Sequence, residues 1–195
     1  MTLILASGSR IRAELLTNAQ LTFHVTPPQV DESAIKAKIV DHNTEDVAQQ
    51  LAQAKARAVS ITRPDAWVIG ADQMLDCEHQ RFDKPVDISS ARQQLLTLRG
   101  KTHRLVSAVT CARNGATIWQ FTGIAELTMR KFTTDFLDAY IARHDRDLLS
   151  SVGAYKLESE GIQLFDRIDG DYFTILGLPL LPLLSFLRSQ GAIAS

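Results

Sequence analysis

Several side chains in this sequence have the types and spacing to handle a phosphorylated ligand. Ser7 and Ser9 frame a Ser-Gly-Ser turn, and Arg10 and Arg12 follow directly. Hydroxyls, turn N–H groups and guanidinium forks are phosphate donors that need neither deprotonation nor movement. The same run also reads as an ordinary helix start with solvated arginines. Asp72 closes the apolar run Val68-Ile-Gly-Ala. A carboxylate there could bind Mg²⁺, orient a water as general base, or simply cap a turn. Lys55 and Lys84 are candidate point charges for phosphate oxygens, set against the usual solvated lysine. Asp31-Glu32, after Pro27-Pro28, are either hard-cation ligands or an exposed acidic loop. Glu158 sits between Gly153 and Gly161 and could accept from the N–H edge of a base, or lie on a plain surface loop.

These residues need elements to position them. Leu3–Ala6 reads as a short buried strand, Ser7-Gly-Ser9 as a turn, and Arg12–Asn18 as a helix with Leu15 and Leu16 inward. A turn of this kind at a helix N-terminus offers its N–H groups to an anion. Phe23–Thr26 alternates like a strand, and Asp31-Glu32 fall in the loop beyond it. A helix from about Glu45 to Ser60, started at Thr44, keeps a stripe of Val47, Leu51, Ala54 and Ala58. Trp67–Asp72 reads as a buried strand ending on its carboxylate, where open α/β sheets place ligands. Ser89 or Ser90 starts a helix through Leu98 that Gly100 stops. His103–Ala112 and Thr117–Met129 are expected strands joined by an Asn114-Gly115 hairpin turn. A helix from Thr133 or Thr134 to Arg143, strands at Gln163–Ile168 and Phe173–Leu176 around Asp169-Gly-Asp171, and a last helix after Pro182 complete the reading. The fold class is mixed α/β, with no repeat and no linker, so residues 1–195 are read as one domain.

Composition limits the partners. Of 195 residues, 45% are hydrophobic and 22% charged, ordinary for a soluble globular chain, which excludes disorder and a disulfide scaffold. The net charge of -1 gives no global positive field, so neither nucleic acid nor a membrane surface is an expected partner. Cys77 and Cys111 have no metal or redox spacing and read as reduced thiols of a cytoplasmic protein. His24, His42, His79, His103 and His144 form no close pair of the kind zinc uses. Leu176–Leu187, the most apolar stretch, is interrupted by Pro179 and Pro182 and too short to span a bilayer.

Each signal is common by itself; their order is not. The chain runs Leu5-Ala-Ser7-x-Ser9, Asp31-Glu32, Leu51-Ala-x-x-Lys55-Ala, Ile69-Gly-Ala-Asp72, Lys84-Pro85 and Leu98-x-Gly100-Lys101-x-His103. It continues Gly153-Ala-Tyr155, Ile168-x-Gly170-Asp-Tyr172 and Gly177-Leu-Pro179-Leu180. This series resembles the Maf family of nucleotide pyrophosphatases over nearly the whole chain. The resemblance implies a fold similar to inosine-triphosphate pyrophosphatases: an elongated mixed sheet, flanking helices and a deep cleft between two lobes, often in a homodimer. It implies hydrolysis of a nucleoside triphosphate between the α and β phosphates, with Mg²⁺ or Mn²⁺. Carried over by position, Asp72 is the catalytic acid-base residue, and Ser7, Ser9, Arg12, Lys55 and Lys84 bind the substrate. Glu32 and Asp72 are the metal-site acids.

Two branches of the family differ in base choice, one taking dTTP and UTP, the other 7-methyl-GTP. The telling positions here are Ile11, Gln73 and Glu158. Gln73 and Glu158 resemble the 7-methyl-GTP branch, whereas Ile11 stands where that branch has an aromatic to stack on the methylated base. Arg10 also replaces the family's usual proline. The implied substrate is a purine or modified nucleoside triphosphate. The altered first motif keeps a second reading open: a non-catalytic nucleotide-binding protein of cell division or septum formation. A dinucleotide-binding dehydrogenase is excluded, because Ser7-Gly-Ser9 lacks the G-x-G-x-x-G spacing.

Overall fold

Local chemistry sets most element boundaries. The computed structural model describes residues 1–39 and 43–194; His42 lies outside them. The strands are β1 (Leu3–Ala6), β2 (His24–Val25), β3 (Trp67–Cys77), β4 (Gln80–Phe82), β5 (Thr102–Arg113), β6 (Ala116–Met129) and β7 (Phe165–Asp169). The helices are α1 (Arg10–Asn18), α2 (Glu32–Lys38), α3 (Thr44–Thr62), α4 (Ile88–Leu98), α5 (Thr134–His144), α6 (Tyr172–Ile175) and α7 (Leu180–Ser189). Three short 3₁₀ segments fall between α5 and β7.

The seven strands form one mixed sheet in the order β2-β1-β3-β5-β6-β7, with β4 paired to β3. β1 runs parallel to both β2 and β3, while β4 on β3 and β7 on β6 are antiparallel. The β5–β6 connection is the expected Asn114-Gly115 turn, with φ of 49° and 73°. Positive φ at both central residues is the type I′ geometry whose twist matches a hairpin.

The chain divides into two compact units. The first comprises Met1–Gln73, Val106–Gly123 and Asp171–Ser195; the second comprises Met74–Leu105 and Ile124–Gly170. In the first unit α1 and α7 bury Leu15, Leu16, Leu180, Leu183 and Leu187 with Leu3, Leu5, Trp67 and Ile69. On its other side Ile4, Ala6 and Val68 pack with Val59 of α3. In the second unit His103, Tyr155 and Phe165 form an aromatic cluster. Cys77 and Cys111 are buried thiols that form no disulfide. Among the described residues no helix is long and apolar enough to cross a membrane.

Several elements differ from the sequence reading. Asp31-Glu32 are not a loop: Asp31 caps α2 by accepting from the Ala34 N–H at 2.9 Å, and Glu32 is its first residue. The α3 cap is Asn43, not Thr44, and the α4 cap is Asp87, which forms a reciprocal pair with Ser90. The buried face of α3 holds Val47, Leu51, Lys55, Ala48, Ala52 and Ala56, leaving Ala54 and Ala58 half-buried. Counting only apolar residues found Val47 and Leu51 but missed the rest of that face because a lysine stands in it. β3 does not end at Asp72 but runs five residues further to Cys77. Phe173–Leu176 is not a strand: Asp171 caps the helical turn α6, accepting from Thr174 N–H at 2.7 Å. The Gln163–Ile168 strand starts only at Phe165, behind a 3₁₀ segment. The last helix begins at Leu180, so Pro182 lies in its first turn, where a missing N–H costs nothing.

Candidate active site

The site in the first unit begins where β1 stops. Ala6 is the last residue of β1 and pairs with Gly70 of β3. Ser7 therefore leaves the sheet beside a β3 that continues through Ala71 and Asp72. This is the carboxyl end of a parallel strand, the place where open α/β sheets receive ligands. The strand that ends there is β1, not β3.

Helix α3 crosses β3 at Gly70. A β-carbon on Gly70 would stand 2.3 Å from the Ala52 carbonyl oxygen and 2.5 Å from the Ala56 nitrogen. Only glycine lets helix backbone and strand backbone approach so closely. Lys55 lies between Ala52 and Ala56 on that face and is set over the strand next to Asp72. The motifs Leu51-Ala-x-x-Lys55-Ala and Ile69-Gly-Ala-Asp72 are two halves of one packing arrangement.

Lys55 Nζ donates to Asp72 Oδ1 at 2.7 Å and lies 2.8 Å from Glu32 Oε1. Lys55 and Asp72 are each 8% exposed, so this ion pair is shielded from solvent, while Glu32 is half-buried. Burial pushes the Asp72 carboxyl above its ordinary range, against the opposing pull of Lys55 and Arg12. Burial lowers the Arg12 guanidinium, opposed by Asp72 and Glu32.

Arg12 is fixed by backbone carbonyls. Its Nε donates to the Gly177 oxygen at 2.8 Å and its Nη1 to the Ala71 oxygen at 2.9 Å. Nη1 also reaches Ser7 Oγ at 3.3 Å, and Ser7 Oγ accepts from the Ser9 N–H at 3.2 Å. Nη2 takes part in none of these bonds. Gly177 has φ +91°, and a β-carbon there would stand 3.5 Å from Arg12 Nη2 and from Gln73 Oε1. Gln73 Nε2 donates to Ser107 Oγ (3.0 Å), to the Ile175 oxygen (2.9 Å) and to the Thr174 oxygen (3.2 Å).

Of the residues singled out in the sequence, Ser7, Ser9, Arg12, Glu32, Lys55, Asp72 and Gln73 all fall in the first unit. Ser7, Ser9 and Arg12 share one set of hydrogen bonds, Glu32, Lys55 and Asp72 share an ion-pair cluster, and Gln73 bonds Ser107 and the α6 carbonyls. Ile11 packs against the hydrophobic core of that unit. Lys84 is exposed between β4 and α4, and Glu158 is exposed in the turn before the third 3₁₀ segment; both belong to the second unit. The sequence reading missed the Ala71 and Gly177 carbonyls that hold Arg12, since backbone groups leave no residue signature. It also missed Ser107, which is fully buried. Its signal was a hydroxyl within the apolar run Leu105-Val-Ser-Ala-Val109.

A guanidinium, an ammonium, a hydroxyl turn and two carboxylates at the end of a parallel strand are the equipment of an α/β enzyme that handles phosphate. The description of the Maf-like protein family matches residues 2–190, and this chain belongs to the Maf family. It is 52% identical over 190 residues to a nucleoside triphosphate pyrophosphatase of Paramagnetospirillum magneticum, covering 96% of this chain and 98% of that protein. It is 50% identical over 193 residues to a 7-methyl-GTP pyrophosphatase of Mesorhizobium japonicum, covering 98% of this chain and 97% of that protein. A more distant likeness in structure is to the Ham1 protein of Staphylococcus aureus, with a TM-score of 0.45 and 15% identity over 67% of this chain and 73% of that one.

Proposed function

We propose that this protein is a nucleoside triphosphate pyrophosphatase that cleaves the α–β phosphoanhydride of a purine or methylated purine nucleotide, giving the monophosphate and pyrophosphate. The activity follows from family membership and from relatives of that name matched over their full length. The observation that carries the mechanism is the single ammonium of Lys55 held by both Asp72 and Glu32, beside Arg12 and Ser7.

In this reading Arg12 Nη2, Ser7, the Ser9 N–H and Lys55 take up the phosphate oxygens; Lys84 keeps the substrate-binding role that the family resemblance implies. The turn and the arginine are held before substrate arrives, so little reorganisation opposes the developing charge. Asp72 accepts a proton from the attacking water. The water oxygen bonds to phosphorus, the bridging P–O bond breaks, and its electrons leave with the departing phosphate group. A carboxyl raised by burial is a better base than a solvated one, because its proton affinity lies nearer the working pH.

The donor set also fits a divalent cation. Asp72 and Glu32 converge on one cationic centre, as their shared ion pair with Lys55 shows. Mg²⁺ and Mn²⁺ prefer such oxygens and take one or two carboxylates, the rest of the shell coming from phosphate and water. When bound, the ion would supply Lewis-acid neutralisation of phosphate charge. Glu32 and Asp72 are the residues that would hold it.

Gln73 and Glu158 are the residues assigned to base choice, and both are acceptors toward a guanine edge, whose N1–H and N2–H₂ donate. Ile11 offers no aromatic face, so a cationic methylated base gains no cation–π contact from that position. Kinship with the family extends the proposal to a cytoplasmic homodimer. The test is pyrophosphate release over a panel of ordinary and methylated nucleoside triphosphates with Mn²⁺. Wild-type protein turns over at least one of them, and Asp72→Asn lowers kcat by about 10²–10⁴-fold, the contribution of a positioned base. Undiminished turnover in Asp72→Asn sinks the base assignment, and nucleotide binding without any turnover gives the non-catalytic reading.

A further inference from the structure

Of two further motifs of the sequence, Asp171-Tyr172 and Gly177-Leu-Pro179, only the Gly177 carbonyl has entered the site so far. They enclose α6, and α6 is held from below by a polar network. Ser107 of β5, fully buried, donates from Oγ to the Thr174 carbonyl at 2.7 Å. The same Oγ accepts from Gln73 Nε2 at 3.0 Å, and Gln73 Nε2 also donates to the Thr174 and Ile175 carbonyls. Asp171 closes the other end of the turn, accepting from the Thr174 N–H and from its hydroxyl. The chain then reverses at Gly177, whose N–H donates to the Thr174 carbonyl at 3.0 Å and whose own carbonyl accepts from Arg12 Nε at 2.8 Å.

The Thr174 carbonyl thus receives Ser107, Gln73 and Gly177 at once. It is the fixed point from which the Gly177 carbonyl is aimed. Gly177, at φ +91°, occupies a backbone state that few other residues adopt, so the aim depends on what restrains the residues before it.

We propose that Ser107 is a positioning residue for phosphate binding: through the Thr174 carbonyl and the Gly177 turn it fixes the arginine fork of Arg12. Gln73 shares this work, so its amide N–H groups are committed to α6 and only Oε1 is presented on the Arg12 side. The proposal rests on the reading of Arg12 as a phosphate ligand. It differs from base recognition, because a fault in the network weakens the grip on any polyphosphate, whatever base it carries.

Inorganic tripolyphosphate, which has no base or sugar, is the probe. It is used as a competitive inhibitor of nucleotide turnover by the full chain. Ser107→Ala should raise its inhibition constant by about 3–10-fold, the coupling expected between groups in one hydrogen-bonded network. KM for each nucleotide should rise by a similar factor, kcat should change less, and the ratio between purine and pyrimidine substrates should hold. In an Arg12→Ala background, Ser107→Ala should add nothing. Thermal unfolding identifies a variant that fails to fold, in which case Ser107→Cys, which keeps the size and a weak donor, serves as the variant. An unchanged inhibition constant in the Ser107 variant, while Arg12→Ala raises it, overturns the positioning role alone. An equal loss in both backgrounds also overturns it, since the serine would then act on structure at large. An unchanged constant in Arg12→Ala overturns the phosphate reading itself, and the inference with it.

Discussion

Asp72 is subject to two opposed influences, and their balance sets the pH at which it can act. Burial disfavours its charged form, while Lys55 at 2.7 Å and the Arg12 guanidinium favour it. Burial is the larger effect, so the carboxyl is raised. A base must be deprotonated to work, so the acid limb of kcat/KM reports the Asp72 carboxyl, which burial raises and Lys55, Arg12 and any bound cation lower. Lys55→Gln keeps an N–H donor but removes the charge. Desolvation then acts with less opposition, and the acid limb should move to higher pH. The pH profile of kcat/KM, measured with one nucleotide and fixed metal, checks this. A limb that stays in place would show that Asp72 is not the group titrating there. Lys55→Gln should also weaken nucleotide binding at every pH, which separates its effect on affinity from its effect on the base.

At the scale of elements, the site is the junction of a strand that ends, a strand that continues and a helix that lies close. Gly70 makes that junction possible. Gly70→Ala would push its methyl group into the Ala52 carbonyl and the Ala56 nitrogen, which are backbone atoms and cannot rotate away. The helix must shift, and Lys55 shifts with it. The expected cost is about 1–3 kcal/mol of stability, as for other overpacked sites, together with a loss of kcat beyond that of a surface alanine. Urea unfolding and kcat on the same preparation check both parts; a stable Gly70→Ala enzyme with wild-type kcat would mean that α3 is not seated by this contact. The same junction shows how far the sequence could be read. The apolar strands, the Asn114-Gly115 hairpin and the buried Leu15 and Leu16 followed periodicity and turn chemistry, so they were legible. The face of α3 was read correctly at Val47 and Leu51 but not at Ala54 and Ala58, because Lys55 stands inside the buried stripe and breaks its apolar pattern. Asp72 was legible as the close of an apolar run but not as a mid-strand residue, because what ends beside it is β1, and strand pairing is not written locally. The α6 turn looked like a strand because Phe173, Thr174 and Ile175 are good strand formers; the Asp171 cap overrode their preference.

At the scale of the whole molecule, the two units respond to acid through different groups. In the second unit His103 is 1% exposed. Its Nε2 meets Tyr155 Oη at 2.7 Å, and its Nδ1 is buried with no hydrogen-bond partner among the described residues. Burial pushes its pKa down from 6.5 to about 4. A depressed histidine is neutral in the fold and protonates more readily when unfolded, so its contribution is fully present above about 6.5 and is lost as pH falls toward 4. Glu160 has a pKa lowered to about 2 by hydrogen bonds from Arg143 and His144, so its contribution holds above the ordinary carboxylate range and is lost only in stronger acid. Asp72 in the first unit has the opposite sign: its raised pKa means the folded state takes up a proton first, which favours folding as pH falls. Of these three groups, His103 is therefore the one that erodes stability between pH 6.5 and the carboxylate range, by up to about 3 kcal/mol over the full shift at 1.36 kcal/mol per unit. Urea unfolding at pH 7, 5.5 and 4.5 should show stability falling with acid in the wild type. His103→Gln keeps an amide partner for Tyr155 and cannot take the proton, so its curve should be lower at pH 7 and flatter below it. Parallel curves for the two proteins would remove His103 as the source and shift the acid response to the carboxylates.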